Sequence, residues 1–459
     1  MIKATKKIIA KAAPKEILEE TASLCPVCLE RIPAAKVARG NNVYLEKKCP
    51  KHGFFRTLIW QGKPNFKTWR QNEQNDKPRF ADTKSDLGCP YDCGICEQHK
   101  QEICCVLINL TERCNQHCEF CFASSGETPK NPDISIENIE KIYDSLIAKN
   151  RENPYNIQLS GGEPTMREDL PQIIAMGKAK GFQYIQLNTN GKKLGQDPEY
   201  AKTLAKAGLD CAYLQFDGTD DIINQKIRGE KLLDIKTKAI HNCAAAGIGV
   251  VLVVTVVPDV NYNNIGKIID FGLKMIPEVR GVSLQPVSYF GRFPQAPTDK
   301  MRITMPQIIR AIQEQTDNRF KAESFLPLVS GDCFCSFHGN FVIMPDNEIV
   351  PITSTRNSCC CSKDDAITHA RNFIAKRFSA SKERILDNSD FDSWDLFIKN
   401  LDNRGFTITC EAFQDVWNFD VLRTQKCRLY IATPEAKLIP FCVYNLTDQN
   451  GRLLYGGRR

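Results

Sequence analysis

The middle of the chain alternates short apolar runs with amphipathic stretches, and this alternation constrains the fold more than any other feature. Each unit spans about 25–35 residues, the size of a strand followed by a returning helix. Such units predict a parallel α/β sheet, which can be doubly wound or closed into a barrel. The predicted strands are residues 106–111, 155–159, 184–187, 211–216, 250–257 and 282–286, and the predicted helices are residues 136–149, 170–178, 198–207, 232–245, 265–275 and 305–315.

Cysteine is unusually frequent, with 21 cysteines among 459 residues. Such a density indicates either disulfide bonds in an oxidising compartment or metal ligands. The count is odd, the cysteines form tight groups, and lysines interrupt the N-terminal segment, so that no secretion signal is recognisable. No apolar run reaches the ~20 residues needed to span a bilayer. The sequence therefore predicts a cytoplasmic, metal-rich protein.

The net charge is +7, from 61 basic and 54 acidic residues. This mild excess tolerates an anionic substrate or a peripheral membrane contact, and it requires neither. A protein that acts on nucleic acid usually carries a stronger stripe of basic residues, so nucleic acid is not an expected partner.

A CxxxCxxC motif follows the first predicted strand, and Phe120 precedes its last cysteine. Three thiolates on one tight loop can hold three corners of a [4Fe-4S] cluster and leave the fourth iron open. A zinc site is the alternative, although zinc sites prefer four ligands in two pairs. The predicted ligands, which also form the predicted catalytic centre, are Cys114, Cys118 and Cys121.

This loop resembles the signature of the radical S-adenosylmethionine (SAM) superfamily. The resemblance implies a partial (β/α)6 barrel, a SAM molecule on the open iron, and reductive cleavage of SAM to a 5′-deoxyadenosyl radical. The Gly-Gly-Glu-Pro sequence after the second strand resembles the motif that receives the SAM amino group. For Gln215, Asp217 and the weaker candidate Gln285, a structural role is an equal alternative. The predicted cofactor-binding residues are Phe120, Gly161, Gly162, Glu163, Asn190, Gln215 and Asp217.

Two cysteine groups lie upstream of this loop. The first, Cys25, Cys28 and Cys49, has the spacing of a mononuclear site that binds zinc or a rubredoxin-like iron. His52 is either its fourth ligand or a surface histidine. The second group repeats the CxxxCxxC spacing and predicts an auxiliary [4Fe-4S] cluster, with Cys104 or Cys105 as a fourth ligand. Its three core cysteines are Cys89, Cys93 and Cys96.

Downstream cysteines are more scattered. Cys410, Cys427 and Cys442 are either buried thiols or cluster ligands. Further candidates for a fourth ligand are Cys333, Cys335, His338 and the run 359–361, whereas Cys211 and Cys243 fall in predicted core elements and are interpreted as packing residues.

The whole pattern resembles the radical SAM subgroup that contains the archaeal tetraether lipid synthase and its uncharacterised relatives. The resemblance implies that Cys104 completes the upstream cluster and that Cys410, Cys427 and Cys442 bind a C-terminal one. The chain departs from this pattern near Cys335. Composition and periodicity divide the chain into three regions: a cysteine-rich metal-binding region at 1–102, the barrel at 103–317, and an auxiliary-cluster region at 318–459, so that cysteine-rich extensions flank the barrel.

The expected function is therefore radical SAM chemistry at an unactivated carbon. The main hypothesis is carbon–carbon bond formation on a lipid-like substrate, with a flavodoxin or ferredoxin as electron donor. The alternative is modification of a small cofactor, a peptide or an RNA base. A non-catalytic iron–sulfur or zinc module is the second alternative, although such a module would not need the Gly-Gly-Glu-Pro motif.

Overall fold

The computed structural model describes residues 15–70, 77–129, 131–328, 330–353, 366–380 and 403–455. Its N-terminal part is a four-stranded antiparallel sheet followed by one short helix, with the strands in chain order. Ile32 and Ala34 are buried while their neighbours are exposed, as expected for a sheet with one covered face. The elements are β1 (Lys15–Leu24), β2 (Arg31–Arg39), β3 (Asn42–Cys49), β4 (Gly53–Gln61) and α1 (Phe66–Trp69).

Six parallel strands in chain order form the central sheet and confirm the predicted barrel architecture. Each strand lies at or within a few residues of its predicted position. The strands are β5 (Cys105–Thr111), β6 (Asn156–Gly161), β7 (Ile185–Thr189), β8 (Cys211–Gln215), β9 (Gly249–Val256) and β10 (Val279–Pro286).

Helices connect these strands and cover the apolar outer side of the sheet. In α2, Ile139, Ile142 and Leu146 are buried at helical spacing, and the Ser135 hydroxyl caps the helix by accepting from the N–H of Asn138 at 3.3 Å. The short α4 and α6 were not predicted. The helices are α2 (Ile136–Lys149), α3 (Leu170–Lys180), α4 (Lys192–Gln196), α5 (Pro198–Ala207), α6 (Asp221–Arg228), α7 (Leu233–Ala246), α8 (Ile265–Lys274) and α9 (Met305–Gln315).

The C-terminal region adds strands to both edges of the barrel sheet. The strand Gly405–Glu411 pairs parallel with β10, and the strand Leu429–Ala432 pairs parallel with β5. The barrel cavity is therefore walled partly by residues that follow position 400. The elements are β11 (Leu326–Pro327), β12 (Ser336–Ile343), β13 (Ile349–Pro351), α10 (Ala366–Phe378), β14 (Gly405–Glu411), α11 (Val421–Thr424), β15 (Leu429–Ala432), β16 (Leu438–Pro440) and α12 (Phe441–Tyr444).

The N-terminal sheet packs against the segment between β14 and α11. The Ser23 hydroxyl donates to the carbonyl of Phe419 at 2.5 Å, and Lys36 forms a buried ion pair with Asp420 at 2.6 Å. In the part of the chain that the structure describes, no helix combines the length and the apolarity needed to cross a membrane.

Candidate functional site

The three cysteines of the CxxxCxxC motif lie on one loop after β5, and main-chain hydrogen bonds hold this loop at both ends. The N–H of Cys114 donates to the carbonyl of Gly126 at 2.9 Å. At the other end, Cys121 and Arg292 exchange two backbone hydrogen bonds of 3.0 and 2.8 Å. Arg292 Nε also donates to the carbonyl of Cys118 at 2.8 Å. Because the main chain fixes the loop, the thiols are left to bind a metal.

Two glycines bring the end of β6 against the residues that precede the cysteine loop. The N–H of Gly162 donates to the carbonyl of Thr111 at 2.7 Å. A Cβ on Gly161 would lie 2.4 Å from the carbonyl oxygen of Thr111, and one on Gly162 would lie 2.3 Å from that of Arg113. Gly161 also has a φ of +133°, which side chains rarely allow. Only glycine permits this close backbone approach.

The carboxylate of Glu163 is buried, and both of its oxygens already have protein donors. It accepts from the hydroxyls of Thr165 and Thr189 at 2.6 and 2.7 Å, and from the N–H of Asn190 at 2.7 Å. The Asn190 amide donates in turn to Asn115 Oδ1 at 2.7 Å, within the cysteine loop. Burial raises the pKa of Glu163, and these hydrogen bonds oppose that shift. Glu163 therefore ties the ends of β6 and β7 to the cysteine loop.

Asp217 lies at the centre of a buried ion pair and does not line the cavity that the cysteines line. Its carboxylate accepts from Arg228 Nε at 2.6 Å, from Arg228 Nη2 at 3.0 Å and from the N–H of Thr255 at 2.9 Å. Burial would raise the pKa of Asp217, but the Arg228 guanidinium lowers it below its ordinary value. The sequence predicted Asp217 as a cofactor-binding residue, with a structural role as an equal alternative. Its oxygens are occupied and enclosed, which favours the structural role of positioning Arg228.

Arg228 is a site residue that sequence reasoning missed. Its side chain lines the cavity, and its Nη1 donates to the carbonyl of Phe120 at 3.4 Å. The charge of Cys118 acts on it in addition to that of Asp217. Its position near the end of α6 carries no recognisable motif, so nothing in the sequence marks it apart from its place after the fourth strand.

One cavity at the carboxyl ends of the strands contains nearly all of the predicted site. Phe120, Gly161, Gly162, Glu163 and Asn190 line it, together with the three motif cysteines, Gln215 and Gln285. Gln215 Oε1 also accepts a hydrogen bond from the buried Lys236 at 3.3 Å.

The donor set in this cavity fits a three-thiolate cluster. Among the described residues that line it, the only cysteines are Cys114, Cys118 and Cys121. Three soft sulfur donors suit an iron–sulfur cluster with one iron left for a non-protein ligand. Burial raises the pKa of the Cys114 thiol to about 12, so cluster binding must displace its proton.

A second donor group lies in the N-terminal sheet. His52 Nδ1 lies 3.5 Å from both Cys25 Sγ and Cys49 Sγ, and Cys28 Sγ lies 4.0 Å from Cys49 Sγ. A tetrahedral zinc ion with ordinary bond lengths spaces its sulfur and nitrogen ligands roughly 3.5 to 3.8 Å apart. The four ligand atoms all lie within 4.8 Å of one another. His52 is exposed, yet its Nδ1 faces the thiols and supplies the fourth donor of the group. A Cys3His set is typical of structural zinc.

The upstream thiols also come together. Cys89 Sγ and Cys93 Sγ lie 3.7 Å apart. Their mutual hydrogen bond is the largest cause that raises the pKa of Cys93, and the charges of Cys427 and Cys96 raise it further. The charges that act on Cys104 are instead those of Arg428, Arg371 and Glu411. The structure therefore brings Cys427 to this group.

The C-terminal thiols form a group with a different membership from the expected one. Burial raises the thiol pKa of Cys335, Cys427 and Cys442, and the charge of Cys335 adds to the shift in both others. Arg423 Nη2 lies 3.2 Å from Cys335 Sγ, and the N–H of Gln414 donates to Cys442 Sγ at 3.3 Å. Cys335, one of the expected candidates for a fourth ligand, therefore joins Cys427 and Cys442, whereas burial and the charge of Glu411 are what act on the Cys410 thiol.

Cys410 lies on β14 and is fully buried in the main hydrophobic core. Its neighbour Glu411 lines the barrel cavity. Because successive side chains of a strand point to opposite faces, Cys410 faces away from the cavity. Cys333, Cys211 and Cys243 are buried in apolar clusters as well, and the run 359–361 lies outside the described residues.

Comparison with known proteins identifies the family. The sequence model of the radical SAM superfamily matches residues 108–272, and that of the HMPTM N-terminal zinc ribbon domain matches residues 17–61. The 7,8-dihydro-6-hydroxymethylpterin dimethyltransferase of Methanocaldococcus jannaschii is 33% identical over 477 residues, which are 93% of this chain and 93% of that protein. The chain belongs to the radical SAM superfamily. It is therefore a radical SAM enzyme, as predicted.

Other radical SAM proteins are similar over shorter stretches. The Fe-coproporphyrin III synthase of Methanosarcina barkeri is 36% identical over 152 residues, covering 33% of this chain and 36% of that protein. The structure of Streptococcus suis SuiB bound to S-adenosylmethionine has 15% identity and a TM-score of 0.38, and it covers 47% of this chain and 48% of that chain. The family implies SAM and a [4Fe-4S] cluster, and the ribbon match agrees with the Cys3His group.

Proposed function

We propose that this radical SAM enzyme transfers methyl groups to a reduced pterin. The observation that carries the proposal is the match to a dihydropterin dimethyltransferase along 93% of both chains, the zinc ribbon included. This supports the alternative hypothesis, modification of a small cofactor. Coupling of lipid tails, the main hypothesis from the sequence, has no support among these relatives.

The chain's own residues prepare the cavity for this chemistry. Cys114, Cys118 and Cys121 would hold three irons of the cluster, and the glycine backbone of β6 would lie along the SAM molecule. Arg228 places a positive charge beside Cys118. When bound and reduced by a donor such as flavodoxin or ferredoxin, the cluster supplies the electron that cleaves SAM to a 5′-deoxyadenosyl radical.

The far half of the cavity suits a small polar ring better than a lipid tail. Gln158, Asn188, Ser288 and Glu411 line it between aromatic side chains. Gln158, Asn188 and Ser288 already have protein hydrogen-bond partners, whereas a lipid tail would leave the carboxylate of Glu411 without a donor, which is costly in a buried site. A heterocycle with ring N–H and amino donors could pair with Glu411.

The test is product analysis with the cluster-replete protein under dithionite. With SAM, 7,8-dihydro-6-hydroxymethylpterin and the cellular small-molecule fraction as methyl source, we expect 5′-deoxyadenosine formation together with loss of the pterin and the appearance of mono- and dimethylated products by mass spectrometry. Identical reactions without reductant are the control. Deoxyadenosine release that leaves every pterin unchanged, in the presence of the cellular small-molecule fraction as methyl source, would contradict the proposal.

We also propose two auxiliary clusters and one zinc site. The thiol group Cys89, Cys93 and Cys96 would hold one cluster, and the Cys3His group of the ribbon would hold zinc. The second cluster would be held by Cys335, Cys427 and Cys442, with Cys427 lying between the two thiol groups.

Replacing Cys335 with serine is therefore expected to lower the bound iron by about four atoms per chain, whereas Cys410→Ser is expected to leave it unchanged. The reason is that Cys335 joins the C-terminal thiol group while Cys410 faces the core. Both variants are purified without oxygen and assayed for iron and acid-labile sulfide. Loss of iron from the Cys410 variant alone would restore the ligand set expected from the sequence.

A further inference from the structure

Two neighbouring strands carry a polar face into the barrel. In the parallel pair of β10 and β14, Ser283 lies opposite Thr409 and Leu284 opposite Cys410. Side chains two residues apart share a face, so Gln285 and Glu411 form the next row on the side of Ser283 and Thr409. Gln285 and Glu411 both line the cavity. Barrel interiors are usually filled with branched apolar side chains, so two successive polar rows are unusual.

These polar groups have few protein partners. The hydroxyls of Ser283 and Thr409 are enclosed and make no hydrogen bond of good geometry, and both lie against the phenol of Tyr213. Within the described ranges, no side chain or backbone N–H donates to the carboxylate of Glu411; burial raises its pKa, and the charge of Arg428 opposes that shift. Buried polar groups are nearly always satisfied, so a cavity-lining carboxylate without a hydrogen-bond donor indicates a ligand that supplies one.

Glu411 differs in this respect from Glu163, the other carboxylate of the cavity. The oxygens of Glu163 already accept from Thr165, Thr189 and Asn190. Of the two glutamates, only Glu411 has carboxylate oxygens that accept no hydrogen bond from the described residues. It also lies on a strand that pairs with β10, on the opposite side of the barrel from the β6 loop.

Aromatic side chains give this part of the cavity its shape. Phe413 and Phe441 pack at 4.7 Å between ring centroids with 40° between their planes, and Phe290 meets Phe441 edge-on at 6.2 Å. All three line the cavity. Flat ligands pack well on such surfaces, whereas the neighbouring carboxylate requires N–H donors from the same ligand.

We infer that Glu411 recognises the pyrimidine edge of a pterin-type ring by accepting two parallel hydrogen bonds, one from the ring N3–H and one from the 2-amino group. The inference rests on the proposed function and names the residue that selects its substrate. A carboxylate offers two coplanar acceptors, and this edge offers two adjacent donors with the same spacing. Gln285 also lines the cavity and is available to the remaining polar atoms of the ring. Glu411 is a specificity residue, because the chemistry takes place at the cluster.

The test is equilibrium binding of 6-hydroxymethylpterin to the cluster-replete full chain in the presence of SAM, followed by the intrinsic fluorescence of the pterin. Glu411→Gln is expected to raise the dissociation constant about 10- to 100-fold, the scale of a lost charge-assisted hydrogen bond. The rate at which the variant cleaves SAM reductively without substrate is expected to stay within about 2-fold of the wild type. That result would show that the cluster site is intact. Glu348→Gln, an exposed glutamate of the same region, is the matched control and should change neither quantity.

A second ligand tests the same contact without relying on one variant. A pterin analogue that lacks the 2-amino group should bind the wild type about as weakly as the pterin binds Glu411→Gln, and the variant should no longer distinguish the two ligands. Equal pterin affinity in wild type and Glu411→Gln would overturn the inference and leave the proposed function standing. A wild type that cleaves SAM and binds no pterin would overturn both.

Discussion

Replacing Cys114 with alanine is expected to abolish 5′-deoxyadenosine formation. The expected loss is at least about 1,000-fold, the scale seen when one residue is removed from a catalytic group whose residues act together. Cys114 is one of only three thiols among the described residues that line the cavity. Without it the site retains two sulfur donors, too few to hold a cluster with a single open iron. The measurement is deoxyadenosine released per chain from SAM under dithionite.

The matched control for this experiment is Cys243→Ala. Cys243 is a fully buried cysteine on α7 that packs in the main core and faces no other site residue. Its replacement removes one sulfur from the chain and is expected to leave both iron content and SAM cleavage unchanged. If Cys114→Ala released deoxyadenosine at the wild-type rate, the assignment of the cluster to this loop would be wrong.

Local sequence patterns were sufficient for the barrel and for most of its site. The β-branched run in β9 and the helical spacing of Ile139, Ile142 and Leu146 follow from short-range geometry. The CxxxCxxC loop and the Gly-Gly-Glu sequence are contiguous, and each follows a strand. Because parallel strands end at the same edge, these loops had to meet, and they do.

Long-range contacts account for what the sequence did not predict. Cys335 lies just before β12 and Cys410 lies on β14, so the place of Cys335 near the C-terminal thiols depends on the long-range pairing of these two strands. Because successive side chains of a strand point to opposite faces, Cys410 on β14 faces the core and Glu411 faces the cavity. Likewise, β14 pairs with β10 and β15 pairs with β5, and each partner strand precedes it by more than a hundred residues. The periodicity of apolar residues within one segment does not predict its pairing with a distant segment.

Asp217 shows the same limit for a single residue, since its place after the fourth strand fits both a cofactor contact and a structural role. Replacing Asp217 with asparagine is expected to lower the free energy of unfolding by about 3–5 kcal/mol, because it leaves the buried Arg228 charge without its partner. The measurement is urea-induced unfolding of the metal-loaded protein. SAM should also bind more weakly, since Arg228 lines the cavity that would hold it.

Two comparisons separate this effect from a general loss of charge. Asp234→Asn breaks an exposed ion pair with Lys238 on α7 and is expected to change stability by less than about 1 kcal/mol. Combining Asp217→Asn with Arg228→Gln removes both buried charges and should recover part of the lost stability. If the double variant is as unstable as the sum of the single ones, the two side chains do not act as a pair.

The pH dependence gives a final check on the same ion pair. The folded-state pKa of Asp217 lies below its ordinary value of 3.8, so its contribution to stability is fully present above that value and is lost as the pH falls through the folded pKa. The stability difference between wild type and Asp217→Asn should therefore be constant from about pH 8 to pH 5 and shrink only below about pH 4. A difference that disappears near neutral pH would instead mean that another group, with a higher pKa, neutralises Arg228.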